Sequence, residues 1–177
     1  MKKNKLNLIN LGIVGIFIIW ATFGPLFLQT DPTKVDISNR LCPPNLKHPL
    51  GTDQLGRDIF SRLTHGARLS LIVSLFAVLF ATFLGSVVGL IAGYQGGWVD
   101  SLIARILDIM FSVPSIVLAI TLVAFLGNTV LNVIIAIGVV YTPQIARVIR
   151  SHVLKIKTED YILAAKALGC STFRILT

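Results

Sequence analysis

The stretch LSLIVSLFAVLFATFLGSVVGLIAG, Leu69 to Gly93, carries no charge, and the next ionised side chain after Arg68 is Asp100. Twenty-five apolar and small residues in a row are enough to cross a hydrocarbon core of about 30 Å as a helix. Within it Ala77, Ala81, Gly85, Gly89 and Gly93 recur at every fourth position. Side chains four apart share one helix face, so this face is nearly flat and lets a second helix approach closely. That ridge reads first as packing inside one bundle. The sharper alternative is a face that lines a pathway or meets another subunit.

Outward from this stretch the same pattern repeats. Leu6 to Leu28 is uncharged and follows Lys2, Lys3 and Lys5. Its length, and the absence of a small-residue cleavage site at Gln29-Thr30-Asp31-Pro32, favour an uncleaved first helix over a signal peptide. Ile109 to Ala146 is uncharged over 38 residues, too long for one span and long enough for two. The Gly127-Asn128-Thr129 turn divides it into a third span, Ile109 to Leu126, and a fourth, Val130 to Ala146. Pro114 falls near the start of the third, where a proline costs little, and Pro143 sits where it would kink the fourth. The reading is an all-α, polytopic membrane bundle with four transmembrane helices.

Composition agrees. Of 177 residues 54% are hydrophobic and 14% charged, with a mean hydropathy of +0.81; a soluble domain carries about 25% charge. The net charge is +8, but the basic residues lie between apolar runs instead of in one stripe, which suits membrane topology and excludes nucleic acid as a partner. Four spans return the chain to its starting side. The Lys-rich N-terminus and the tail with Arg147, Arg150, Lys155, Lys157, Lys166 and Arg174 then share the cytoplasm. The segments are therefore 1–28, tip and first helix; 29–68, external; 69–146, core helices two to four; and 147–177, cytoplasmic.

The external segment holds six basic residues and four aspartates, with Pro32, Pro43, Pro44 and Pro49 opposing long helices. In its dense part Gly51, Thr52, Asp53, Gly56, Arg57 and Asp58 form a structural motif: the aspartates suit capping and Arg57 suits bridging them. From Asp58 to Arg68 a short interfacial helix leads into the second span. His48 and His65 stand alone, and no catalytic spacing surrounds them. No CxxC or Cys/His cluster suggests a metal, and Cys42 and Cys170 fall on opposite membrane sides. The uncharged spans argue against a proton- or ion-coupled transporter. No GxxxxGK[ST] stretch is present, so no bound ATP and no cofactor is expected.

Thr158 to Gly169, TEDYILAAKALG, has the ends of a helix: Thr158 or Asp160 to cap it, acids at its start, and Gly169 to stop it. Leu163, Ala164, Ala167 and Leu168 supply an apolar face. Such a helix either rests on anionic lipid or inserts into a partner's groove.

The stretches HPLGTDQLGRDIFSRLTHGARLSL and GLIAGYQGGWVDSLIARILDIMFSVPSIVLAI, with the tail DYILAAKALGCSTFRI, resemble the C-type permease subunit of dipeptide, oligopeptide and nickel importers of the ATP-binding-cassette type. The resemblance runs from about residue 6 to the end of the chain. It implies a bacterial inner-membrane subunit that pairs with a second permease subunit. Two cytoplasmic ATPases would drive it and an external binding protein would deliver peptide, with nickel as the alternative cargo. ATP hydrolysis would belong to the partners, so this chain is not itself an enzyme. Tyr161, Ala164, Ala165, Leu168 and Gly169 match the family's ATPase-docking EAA loop, except that Leu163 stands where the pattern's name calls for Glu. The family continues beyond the equivalent of Thr177, through about two further spans. The chain therefore reads as truncated, with four of six helices; a non-transporting membrane scaffold is the remaining alternative.

Overall fold

The computed structural model describes residues 2–28 and 31–170; the side chains of residues 2–9, Leu163 and Lys166 are outside that description. Among the described residues six α-helices follow in order: α1 (Lys2–Phe27), α2 (Ile59–Gln95), α3 (Gly97–Ser112), α4 (Ser115–Leu126), α5 (Val130–Ile156) and α6 (Asp160–Ala167). No strand occurs among the described residues. The chain divides within α2 into two compact units, 1–73 and 74–177.

In the first unit α1 meets the start of α2 through small groups. Ala21 is fully buried, and so are Ser61 and Thr64. A Cβ on Gly24 would lie 2.8 Å from Thr64 Cγ2. Trp20 and Phe60 add a tilted ring contact at 5.6 Å between centroids. The rest of α1 leaves Ile13, Ile16 and Phe23 exposed, as expected of a helix whose surroundings are lipid chains. The interfacial helix expected over Asp58 to Arg68 is continuous with the second span, giving α2 37 residues.

The second unit is organised by the close approach of α2 and α5. Ala77 and Ala81 are each 1% exposed, and Gly85, Gly89 and Gly93 are buried. A Cβ on Gly85 would stand 2.7 Å from Ile145 Cβ; on Gly89, 2.6 Å from the Ala146 carbonyl oxygen; on Gly93, 2.7 Å from Val153 Cβ. From the other side, a Cβ on Gly138 would lie 2.5 Å from Phe80. The ridge is thus occupied by a helix of the same chain. Membrane helices gain no hydrophobic drive from leaving lipid for each other, so contact area at short range is what holds such a pair.

Two expected spans have different boundaries. The third is not a single helix over Ile109 to Leu126. It breaks at Val113 and Pro114, and α3 and α4 meet at 92°. The proline ring disfavours helical geometry in the residue before it, and Val113 is extended at φ −98°, ψ 131°. Pro114 is the sixth residue of the expected span, past the first turn where it would be harmless. The 12 residues of α4 rise only about 18 Å, short of a hydrocarbon core. The fourth expected span ends at Ala146, but α5 runs on to Ile156 with Pro143 inside it. Charge marks where lipid ends, not where backbone hydrogen bonding must stop. Between α4 and α5 the chain turns at Gly127, φ +94°, and Thr129 caps α5 by accepting from Asn132 N at 3.3 Å. Among the described residues three helices, α1, α2 and α5, are long and apolar enough to cross a membrane, and the bent α3–α4 pair makes up to four.

The ridge has a direct test. Gly89→Val, read as thermal stability of the purified protein in detergent, should cost about 1–3 kcal/mol from overpacking against backbone. Gly66→Ala should do the opposite, gaining about 0.5–1 kcal/mol, because a Cβ there meets nothing within 4 Å. Equal effects at both sites would contradict the packing described.

Candidate functional site

The polar segment around Gly51 to Asp58 folds as its own small module in the first unit. Residues 36–42 run beside 51–55: Asp36 N donates to Leu55 O (3.1 Å), Leu41 N to Asp53 O (3.2 Å) and Thr52 N to Cys42 O (3.1 Å). Thr52 is buried; its hydroxyl accepts from Cys42 N at 2.9 Å and donates to the Asn39 carbonyl. Gly51 and Gly56 both have left-handed φ, and a Cβ at Gly56 would fall 1.7 Å from the Asp36 carbonyl oxygen, so no other residue fits there.

Asp53 is the charge centre of this module. Its Oδ1 accepts from Leu55 N (2.8 Å) and Arg57 N (3.0 Å). Its Oδ2 accepts from Arg57 Nε at 2.8 Å and Arg62 Nη1 at 2.5 Å. Desolvation pushes its carboxyl upward, but the backbone and Arg57 hydrogen bonds together outweigh it and hold the pKa at about 2. Asp58 caps α2 by accepting from Ser61 N at 3.1 Å. Among the described residues Arg57 bridges to Asp53 and not to Asp58; Asp58 has His48 Nδ1 beside it at 3.4 Å instead. His65 Nδ1 lies 3.0 Å from the Ser61 carbonyl oxygen. Among the described residues no three His, Cys, Asp or Glu side chains are grouped to hold a metal ion.

In the second unit α6 follows α5 after a turn at Lys157 to Glu159. Thr158 Oγ1 donates back to Lys155 O at 2.8 Å, and Ile162 N to Glu159 O at 3.0 Å. The helix ends as its glycine requires. Gly169 has φ +79°, and Cys170 N donates to Ala165 O at 3.1 Å, a six-residue closure typical of a left-handed C-terminal cap. Tyr161, Ala164, Ala165 and Leu168 fall at i, i+3, i+4 and i+7, one helix face. Tyr161 is 63% and Leu168 84% exposed. Leu163, part of the expected apolar face, has its side chain outside the described residues.

A charged group not recognised from the sequence lies between α3 and the end of α5. Arg150 donates to both carboxylate oxygens of Asp100, through Nε and, at 2.7 Å, Nη2. Arg147 Nη2 donates to Asp108 Oδ1 at 2.6 Å, and its guanidinium lies 4.2 Å from the Phe111 ring centroid. Lys157 Nζ donates to the Tyr94 carbonyl at 2.6 Å, near the C-terminus of α2. The signal was present: aspartates eight apart on α3 and arginines three apart on α5 both keep one face.

The fold and these elements define a multi-pass membrane protein of helical permease type. Residues 85–177 match the profile of the binding-protein-dependent transport system inner membrane component, and the chain belongs to that family. Residues 1–44 match the N-terminal transmembrane domain of oligopeptide transport permease C. The chain is 48% identical over 176 residues to the dipeptide transport system permease protein DppC of Alkalihalophilus pseudofirmus, covering 99% of this chain and 58% of that protein. It is 37% identical over 175 residues to the oligopeptide transport system permease protein OppC of Bacillus subtilis, 99% of this chain and 57% of that one. It is 44% identical over 162 residues to the glutathione transport system permease protein GsiD of Shigella flexneri, 91% of this chain and 54% of that one. The chain thus spans a little over half the length of these relatives.

Asp53 sets a pH dependence with a definite sign. Its folded pKa of about 2 lies below the ordinary 3.8, so its stabilisation is complete above pH 3.8 and fades as pH falls through about 2. Thermal unfolding of Asp53→Asn should therefore lie below that of the unmodified protein at pH 5, with the gap closing toward pH 2. A gap that stays constant down to pH 2 would contradict the assignment.

Proposed function

We propose that this chain is a translocation-path subunit of an importer driven by ATP-binding-cassette ATPases, and that its cargo is a short peptide. The observation that carries the reading is α6: a short helix closed at its C-terminus by Gly169, directly after a long apolar helix, showing Tyr161 and Leu168 on one uncovered face. An amphipathic helix with anchors at this spacing suits a groove on a partner. Family membership supports ATPase and binding-protein partners in general; in this reading two cytoplasmic ATPases dock on α6 and carry out all ATP chemistry, and a second permease subunit and an external binding protein complete the assembly. Three relatives named for dipeptide, oligopeptide and glutathione transport support a short peptide as cargo.

Orientation follows from charge. The N-terminus has Lys2, Lys3 and Lys5, and the segment after the core of α5 has Arg147, Arg150, Lys155 and Lys157. Basic flanks favour the cytoplasmic side of the inner membrane. Both ends share that side only if the number of crossings is even, so the bent α3–α4 pair is read as one crossing.

Two measurements check this reading. The first is retention of a cassette ATPase by the tagged protein. The unmodified chain should hold it, and Tyr161→Asp and Leu168→Asp, both on exposed positions, should each weaken it at least about tenfold. If both variants keep the ATPase at full affinity, α6 is not the docking helix. The second is labelling of single cysteines placed at Lys3 and Tyr161 with a membrane-impermeant thiol reagent, in a background lacking Cys42 and Cys170. Both should react only in inside-out vesicles; reaction from opposite faces would make α3–α4 re-entrant.

A further inference from the structure

The charged contacts at the end of α5 are more than a membrane-edge flourish of opposite signs. Three residues of that segment, Arg147, Arg150 and Lys157, each reach a group on the hairpin formed by the end of α2 and α3: Asp108, Asp100 and the Tyr94 carbonyl. The Asp100–Arg150 pair is the central one. Its side chains are only 16% and 29% exposed, and the guanidinium uses two nitrogens on two oxygens, a geometry that fixes orientation as well as distance. The backbone beneath it has no slack, since a Cβ on Gly89 would lie 3.1 Å from Arg150 N and one on Gly93 would lie 3.0 Å from Arg150 O. Immediately beyond Lys157 the chain turns into α6, and α3 leads through Val113 and Pro114 into α4, which meets α3 at 92°.

We infer that the Asp100–Arg150 pair is a clamp that makes α3 move as one body with α5, so that displacement of α6 by its partner is delivered to the Pro114 bend and α4. Asp100 and Arg150 are positioning residues in this scheme. They touch neither cargo nor nucleotide; they couple the docking helix to the broken span. The Pro114 bend is suited to receive such motion, because a proline bend lacks the hydrogen bond that would stiffen it. The inference rests on the docking role proposed above for α6.

The test uses the assembled importer in proteoliposomes, with Asp100→Arg, Arg150→Asp, the double swap and Arg150→Lys. Cargo transported per ATP hydrolysed is the readout, because a merely structural role would lower transport, hydrolysis and complex yield together. Each single reversal should keep the ATPase bound and hydrolysing while the transport-to-hydrolysis ratio falls at least about tenfold, and the double swap should recover it to within about threefold. Arg150→Lys should fall between, since an ammonium cannot bridge both oxygens. A ratio unchanged in the single variants, or a double swap no better than either single, overturns the clamp. Should the reversals prevent assembly, Asp100→Asn, Arg150→Gln and their combination are compared for thermal stability in detergent, with no partner present. Non-additive effects support the clamp and additive effects overturn it. An unmodified chain that holds no ATPase defeats the docking reading and the delivery of motion, whereas failure of the stability cycle defeats the clamp alone.

Discussion

Gly85, Gly89 and Gly93 bring the backbone of α2 to within a missing methyl group of α5, and most of the second unit depends on that distance. In lipid there is no gain from hiding apolar surface against another helix, so packing at short range has to supply the adhesion. Close approach also fixes register. With Gly89 against Ala146 and Gly93 against Val153, Arg150 and Lys157 have one available height along α2. That height puts Arg150 across from Asp100 and Lys157 next to the last turn of α2. The ion pairs are thus a consequence of the glycine contact as much as a cause of stability. Removing a partner from a half-buried pair leaves a charge that is costly at the edge of a membrane.

The α3–α4 break shows a second constraint at work. A bent backbone at membrane depth is tolerable only where its unpaired groups find protein or water. Here Val117 N and Leu118 N both bond the Pro114 carbonyl, at 2.9 and 3.1 Å, so α4 restarts at once, and both α3 and α4 pack on α5. The polar module of the first unit solves the same accounting problem differently. It has little apolar core and relies on Thr52, Asp53 and two left-handed glycines to pair its backbone. Both cases follow from one rule: every polar group taken from water must be given a partner.

Much of this was legible in the residues. Uncharged runs of span length declared a helical membrane protein, the four-residue spacing of small side chains marked the close face of α2, and Gly169 marked the end of α6. These features are local, written in periods of one helix turn or in the length of one span, and a linear reading sees them. The three-dimensional partners were not legible in the same way. A stripe of small residues does not name the helix that will lie on it, and Asp100 and Arg150 are 50 positions apart. The proline is visible but its effect is not, because five positions separate a harmless proline at the start of a span from one that turns the chain through 92°.

What the sequence by itself determined is therefore the solvent, the helical class, the polar insert between the first two spans and the family likeness carried by its motifs. Each depends on composition or on contacts within a few turns. What only the tertiary structure decided is that α5 occupies the glycine face, that α3 and α4 are a bent pair, that Asp100 and Asp108 on α3 pair with Arg150 and Arg147 on α5, and that Tyr161 and Leu168 remain uncovered within the second unit. Those facts depend on which surfaces meet, and long-range pairing is chosen by the fit of whole faces in register, a property that no single segment of the chain contains.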